Sequence, residues 1–288
     1  MLSILIVNWN TKDLLRVCLQ SITQYPPSSA HEIIVVDNAS SDGSAVMVCS
    51  EFPRVKLVAS TVNTGYAKGN NLAFSEAKGD WLLTLNPDTE FFDGSLDVAI
   101  ERLDQTPKAG SLGIQQIGVD GKVQRSVRGF PTLAGIFGDM TGLGKLLGGP
   151  VDSYRLTRFD YELEQDVAQP MGTFLLFRRS ALESVGSAGA PFDEKFPIFF
   201  NEVDLLYRLK KNGWNCLYTP KAKIRHHGGE STKQVRKSMI WESHKSLSRY
   251  LWKQYGTSFG VVGLPFVSVL IFAAAFVRAK GYDAGFRA

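Results

Sequence analysis

At residues 80–92 the chain reads DWLLTLNPDTEFF: an apolar run, Trp81 to Leu85, stops at Asn86, Pro87, Asp88, Thr89 and Glu90. A carboxylate at the end of a buried strand can bind a divalent ion that bridges two phosphates, although Asn-Pro-Asp also favours a plain turn. A second carboxylate, Asp37 in VVDNASSDGS, ends another apolar run. It could accept hydrogen bonds from a nucleobase or ribose, or it or Ser40 could cap the next helix. NTGYAKGNN, residues 63–71, sets Asn63 and Gly65 before a helix start. There the backbone can approach a ligand and unpaired N–H groups can face an anion. The stretch is neither a Walker motif nor G-x-G-x-x-G, and an ordinary glycine loop would read the same.

Two later stretches add acid–base and metal chemistry. PFDEKFPIFFNEVDLLYRL, residues 191–209, packs aromatics around Asp193, Glu202 and Asp204. Glu202 and Asp204 stand two apart, so on a helix they point in different directions, and one can face a cleft while the other pairs. A carboxylate beside Phe199 and Phe200 should have a raised pKa, which suits a general base. Acids at a helix start are favoured by the macrodipole in any case. IRHHGGES, residues 224–231, offers His226 and His227. Beside a carboxylate rim, an imidazole could complete a site for a hard ion such as manganese. No second His stands at metalloprotease spacing, which disfavours a zinc hydrolase.

The elements that must hold these residues follow from periodicity. SILIV (3–7), EIIVVD (32–37), VKLVAS (55–60) and DWLLTLN (80–86) read as strands, separated by helical patterns at 11–25, 40–52 and 65–79 with Thr11 as an N-cap. This rhythm predicts an α/β fold with a mostly parallel sheet flanked by helices. In such sheets ligands gather at the carboxyl ends of the strands, where Asn8, Asp37 and Asn86–Asp88 stand. Beyond residue 110, Asp120-Gly121 signals a hairpin, 127–165 has no clear period, 168–182 contains another strand, 201–213 is a helix and 214–220 is a strand closed by Pro220. The division expected is 1–110 and 111–232, a nucleotide-binding and an acceptor-side half of one catalytic domain, then a helical segment over 233–288.

Composition excludes some classes. Hydrophobic content of 44% and charged content of 21% belong to a folded chain. A net charge of +4 tolerates an anionic ligand or membrane but does not argue for nucleic acid. Cys18, Cys49 and Cys216 form no C-x-x-C pair and read as free thiols in a reducing compartment. MLSILIVNWN reads as a first strand and not as a signal peptide.

Taken in order, these motifs resemble the family-2 glycosyltransferases of the GT-A fold, nearest to rhamnosyltransferase-like bacterial members that build polysaccharides. SILIVNWNTKDLLRVCLQSI, IIVVDNASSDGS, NTGYAKGNN, LLTLNPDTE, PMGTFLLFRRSAL, FFNEVDLLYRLKKNGW and IRHHGGES carry the likeness, over roughly residues 2–255. The resemblance implies an inverting transfer from a nucleotide-diphospho-sugar, deoxythymidine-diphosphate (dTDP) rhamnose first or a UDP-sugar, to a glycan or lipid-linked acceptor. Mg²⁺ or Mn²⁺ would be the cofactor. By the same resemblance Asn8, Asp37, Asn63, Gly65, Lys68, Asn86 and Asp88 bind the donor, and Met171, Gly172 and Thr173 the acceptor. Asp88 and His226 hold metal, with His227 as rival, and Glu202 is the base, with Asp204 as alternative. Two positions depart from the pattern: Asn86 stands where a D-x-D motif has its first Asp, and Asn201-Glu202 replaces Glu-Asp. A non-catalytic carbohydrate- or nucleotide-binding protein on the same fold is the alternative reading. A nucleotidyltransferase is disfavoured because VNWNTKDLL lacks a Gly-rich basic signature, and a glycosidase would need two facing carboxylates and no nucleotide site.

FGVVGLPFVSVLIFAAAFV, residues 259–277, is nineteen residues without charge, about 28 Å as a helix and close to a bilayer core. It shows no polar face, so an in-plane amphipathic helix fits it poorly. Lys233, Arg236, Lys237, Lys245, Arg249 and Lys253 precede it, as at the cytoplasmic flank of a membrane segment. The expectation is membrane contact through 259–277, spanning or re-entrant, at the cytoplasmic face of a bacterial inner membrane, with a buried helix or a subunit interface as the alternative.

Overall fold

The computed structural model describes residues 1–141, 146, 148–186, 189–228, 236–257 and 263–281. The alternating first third forms as the periodicity predicts: β1 (Leu2–Asn8), α1 (Lys12–Gln24), β2 (His31–Asn38), α2 (Ser44–Glu51), β3 (Lys56–Ser60), α3 (Tyr66–Glu76) and β4 (Trp81–Leu85). β3, β2, β1 and β4 lie side by side and parallel. Along β1, Ile4 and Ile6 face one layer of helices and Leu5 and Val7 the other, so both faces are buried.

After β4 the chain departs from that rhythm. Residues 86–88 turn sharply, and β5 (Thr89–Phe91) pairs antiparallel with a strand from near residue 226. Then follow α4 (Ser95–Asp104), β6 (Ala109–Ile117), β7 (Val127–Arg128), α5 (Leu133–Thr141), β8 (Gln165–Val167), β9 (Gln169–Pro170), β10 (Phe174–Arg178), α6 (Arg179–Val185), α7 (Asn201–Lys211) and β11 (Asn215–His226). The sheet has nine strands in the order β3-β2-β1-β4-β10-β6-β11-β5, with β8 also paired to β11. Six strands run one way; β10, β5 and β8 run against them.

Several expectations need correction. Pro220 does not close the last strand: a register shift between Thr219 and Lys223 lets β11 bend and continue to His226. The halves 1–110 and 111–232 interleave, because β10 inserts between β4 and β6. The stretch 127–165 contains two short strands, a helix and a 3₁₀ turn. Thr11 makes no side-chain cap; its hydroxyl donates to Asn8 Oδ1 at 2.7 Å, and Asp42 accepts the Lys12 N–H instead. Cys18, Cys49 and Cys216 are free thiols.

Two C-terminal helices, α8 (Arg236–Tyr255) and α9 (Leu264–Ala279), build a third core with α5 and α7. Leu247, Tyr250 and Leu251 of α8 and Leu264 and Ile271 of α9 pack against Tyr154, Phe196, Phe200 and Val203. Among the described residues no helix is long and apolar enough to cross a membrane. Residues 259–262 of the apolar segment, Lys233, Arg287 and the end of the late histidine stretch, Gly229, Glu230 and Ser231, lie outside the described residues.

Candidate active site

Two cavities open at the carboxyl ends of the parallel strands and share Tyr66 and Ile198. The larger, about 740 Å³, is bounded by Trp9, Asn38, the loop 63–65 and the α8 face carrying Trp241 and Lys245. The smaller, about 320 Å³, is lined by Asn86, Arg128, Met171, Gly172, Thr173, Glu202 and His226.

Beneath the larger cavity lies a hydrogen-bonded set from two strand ends, β1 and β2, and the loop 63–65. Asp37 is buried and accepts from Asn8 Nδ2 at 2.9 Å and from the Ser40 N–H at 3.0 Å. It does not line the cavity itself. Asn38, its neighbour, does: its amide donates to the Gly65 carbonyl at 3.0 Å and accepts the Thr64 N–H at 3.0 Å. Asn63 lines the same cavity, while Lys68 lies exposed on α3 and lines neither.

The N-terminus of α3 is not open to an anion as the loop pattern suggests. The Pro197 carbonyl accepts the Tyr66 N–H at 2.6 Å and the Ala67 N–H at 3.2 Å. Gly65 has φ +87°, and a Cβ there would lie 2.7 Å from that carbonyl oxygen, so the close approach needs glycine. The loop bearing Pro197 is held by α8: Lys253 Nζ pairs with Asp193 at 2.7 Å and Ser246 donates to the Ile198 carbonyl at 3.3 Å.

The smaller chamber brings together the two ends of the predicted chemistry. The pairing of β5 with β11 sets Thr89 opposite His226, so Asp88 meets the imidazole: Nε2 lies 3.5 Å from Asp88 Oδ2. Both side chains are nearly buried. Gln124 fixes the ring, accepting from Nδ1 at 2.8 Å and donating to the His226 carbonyl at 3.1 Å. With Nδ1 held by Gln124, Nε2 is the ring nitrogen turned toward Asp88. His227 is turned away and pairs with Glu90. A carboxylate oxygen and an imidazole nitrogen fit a hard divalent ion. Among the described residues no three His, Cys, Asp or Glu side chains gather as a metal cluster.

Glu202 opens α7 from the same chamber. Burial pushes its carboxyl above the ordinary range, against the weaker opposing pull of its own N–H and of Arg128. Its stem packs on Gly172, where a Cβ would stand 3.4 Å from Glu202 Cγ. The two residues before α7, Phe199 and Phe200, both have φ of 60°, a left-handed conformation costly for an aromatic. Asp204 does not share the chamber. It is wholly buried, ion-paired to Arg208 at 2.8 Å and to Lys253 at 2.7 Å, and joins α7 to α8. Asp204, the alternative base, therefore lies outside the chamber that Glu202 lines.

Three residues at the site had no assigned role in the sequence: Arg128 and Tyr66 line the chamber, and Gln124 stands behind His226. Gln124 and Arg128 act through register across distant segments. Tyr66, buried enough to raise its phenol pKa, stands within electrostatic reach of both Glu202 and Asp88.

Residues 3–186 match the family described as glycosyl transferase family 2. The chain belongs to that family. It is 33% identical over 236 residues to an N-acetylglucosaminyl-diphospho-decaprenol L-rhamnosyltransferase of Mycobacterium tuberculosis, covering 76% of this chain and 74% of that one. It is 27% identical over 263 residues to the O-antigen biosynthesis protein RfbC of Myxococcus xanthus, covering 86% of this chain and 19% of that one. The fold is shared with the mannosyltransferase PcManGT of Pyrobaculum calidifontis, solved with GDP-Man and Mn²⁺: TM-score 0.59, 16% identity, 98% of this chain and 76% of that one. It is also shared with S. aureus TarS 1–349, at TM-score 0.56 and 17% identity, covering 97% of this chain and 79% of that one. The family-2 glycosyltransferase described here therefore has the GT-A fold and is rhamnosyltransferase-like.

Proposed function

We propose that this glycosyltransferase moves rhamnose from a nucleotide-diphospho-sugar to a sugar hydroxyl on a lipid-linked acceptor, with inversion at the anomeric carbon. It would act at the cytoplasmic face of the membrane, in cell-surface polysaccharide synthesis. The observation that carries the reading is the chamber lined by both Glu202 and His226: a carboxyl of raised pKa faces the same small space as an imidazole backed by Asp88. The mycobacterial relative's name supplies the sugar and the acceptor class.

The larger cavity takes the nucleoside, against Trp9, Asn38 and Asn63. Asp37 and Asn8 act from beneath by fixing that floor. Asp88 and His226 would hold Mg²⁺ or Mn²⁺ on the donor diphosphate; such an ion, when bound, offsets charge on the leaving group. Met171, Gly172 and Thr173 shape the acceptor side. Glu202 accepts the proton of the acceptor hydroxyl as its oxygen bonds to the anomeric carbon and the bond to the diphosphate oxygen breaks. Tyr66, between the cavities, keeps the sugar over the chamber.

The test is transfer in vitro with Mn²⁺. Purified protein is offered dTDP-rhamnose, UDP-N-acetylglucosamine or GDP-mannose with a short-chain N-acetylglucosaminyl-diphospho-lipid, and the product linkage is read by NMR. Rhamnose transfer with inverted configuration is expected. Transfer from another donor alone would overturn the sugar assignment, and release of no nucleoside diphosphate from any donor would favour a binding protein.

A further inference from the structure

Helix α9 exposes apolar side chains where a water-facing helix would carry polar ones. Phe266, Val269, Leu270, Phe272, Phe276 and Val277 are each between 37% and 68% exposed. Among the described residues, three of the four exposed phenylalanines stand on this helix; the other is Phe92. The opposite stripe, Leu264, Ile271 and Ala275, is buried. Ser268 bonds to Ser248 at 3.1 Å and accepts from Trp252 Nε1 at 3.0 Å, which docks that stripe on α8. The helix is apolar all round because only half of it faces protein.

We propose that α9 lies in the plane of an anionic phospholipid surface, its exposed stripe sunk into the headgroup–acyl boundary. At sixteen residues it is about 24 Å long, shorter than a bilayer core, so it lies on the membrane and does not cross it. Charge complements the surface: residues 233–288 carry nine Lys and Arg against Glu242 and Asp283, and after Lys253 is matched by Asp193 and Asp204 and Arg249 by Glu242 the segment is still basic. Lys280 Nζ stands 4.4 Å from the Phe276 ring centroid, so a cation sits at the edge of the apolar stripe, where headgroups would be. A second copy on the same stripe would instead bring two basic surfaces together.

This orientation deepens the lipid-linked acceptor reading and rests on it. Phe200, Val203 and Tyr154 line the transfer chamber on one side and pack into the core of α8 and α9 on the other. A rigid block thus joins the lipid-facing helix to the chamber, and an acceptor can keep its chain in the leaflet that α9 touches.

The experiment is co-sedimentation of the full chain with vesicles of equal parts phosphatidylcholine and phosphatidylglycerol, and of phosphatidylcholine alone. The double variant F266D/F276D and the milder L270Q/V277Q are compared by thermal midpoint, oligomeric state and transfer to a short-chain acceptor. Wild type should sediment with the anionic vesicles. Both variants should lose at least about tenfold in partition while keeping transfer to the short acceptor. The mild pair carries the comparison if the aspartates unfold the chain. Wild type left in the supernatant with both vesicles overturns the proposal, as does a lipid-free dimer that the variants dissolve. Transfer without vesicle binding sinks only the helix assignment. Vesicle binding without any transfer sinks the acceptor reading and leaves the lipid contact standing.

Discussion

Glu202 sits half-buried at the chamber wall with a raised pKa, and the sign of that shift makes two separable predictions. A carboxyl that protonates more readily folded than unfolded lowers stability as pH climbs from its unfolded pKa through its folded one. Glu202→Gln should therefore raise the thermal midpoint at neutral pH and raise it less in acid, while costing about 10²–10⁴ in turnover. Melting curves across pH, set beside single-turnover rates, check both; unchanged turnover would remove Glu202 from the base role. Gln124 makes a different prediction. Gln124→Leu frees the imidazole of His226 to rotate, and loss of such an outer partner typically weakens metal affinity about 10–100-fold. Titration of Mn²⁺ by paramagnetic resonance in the presence of nucleoside diphosphate should show that loss with little change in melting. The place of Asp88 was legible in the sequence because it follows an apolar strand, whereas His226 stood only as one of two adjacent histidines, beyond the Pro220 where the strand was expected to end. Gln124 was not legible, since its role exists only once residue 226 has folded back beside residue 124.

At the scale of elements, α7 shows how one helix start separates two carboxylates. Glu202 faces the chamber; Asp204, two residues on, faces inward to Arg208 and Lys253. Asp204→Ala removes the buried carboxylate shared by Arg208 and Lys253, which keep the Val185 and Pro191 carbonyls and Asp193 as other partners, and should cost about 1–3 kcal/mol of stability. Denaturant melts should show that loss, with the turnover of still-folded protein falling far less than for Glu202→Gln. The two-residue spacing announced that the pair would diverge, but which member points inward depends on α8, which supplies Lys253 from fifty residues away. The occupied N-terminus of α3 hides from local pattern for the same reason. NTGYAKGNN looks like an anion cradle until Pro197, distant in sequence, places its carbonyl there. The parallel half of the sheet was legible because each strand follows the last through one helix. β5 was not, because three residues of turn carry the chain to a partner strand more than a hundred residues later.

For the molecule as a whole, the C-terminal helices share a core with Tyr154, Phe196, Phe200 and Val203. Deleting residues 256–288 strips Leu264 and Ile271 from the third core, and losses of large buried side chains typically cost about 2–5 kcal/mol each. Because α8 also walls the larger cavity through Trp241 and Lys245, the deletion should lower the thermal midpoint and weaken stabilisation by nucleoside diphosphate. A bare anchor would change neither. The insertion of β10 between β4 and β6 bears on synthesis as well. A ribosome delivers β4 and β6 long before Phe174–Arg178, the strand that must separate them, and β11 comes later still. Until then β4 is a hydrophobic edge, with Leu83 and Leu85 beside unpaired backbone, the kind of surface that recruits other chains. A nascent chain halted near residue 110 should accordingly be protease-sensitive and bound by chaperone, and protection should appear only when β10 and β11 have left the exit tunnel.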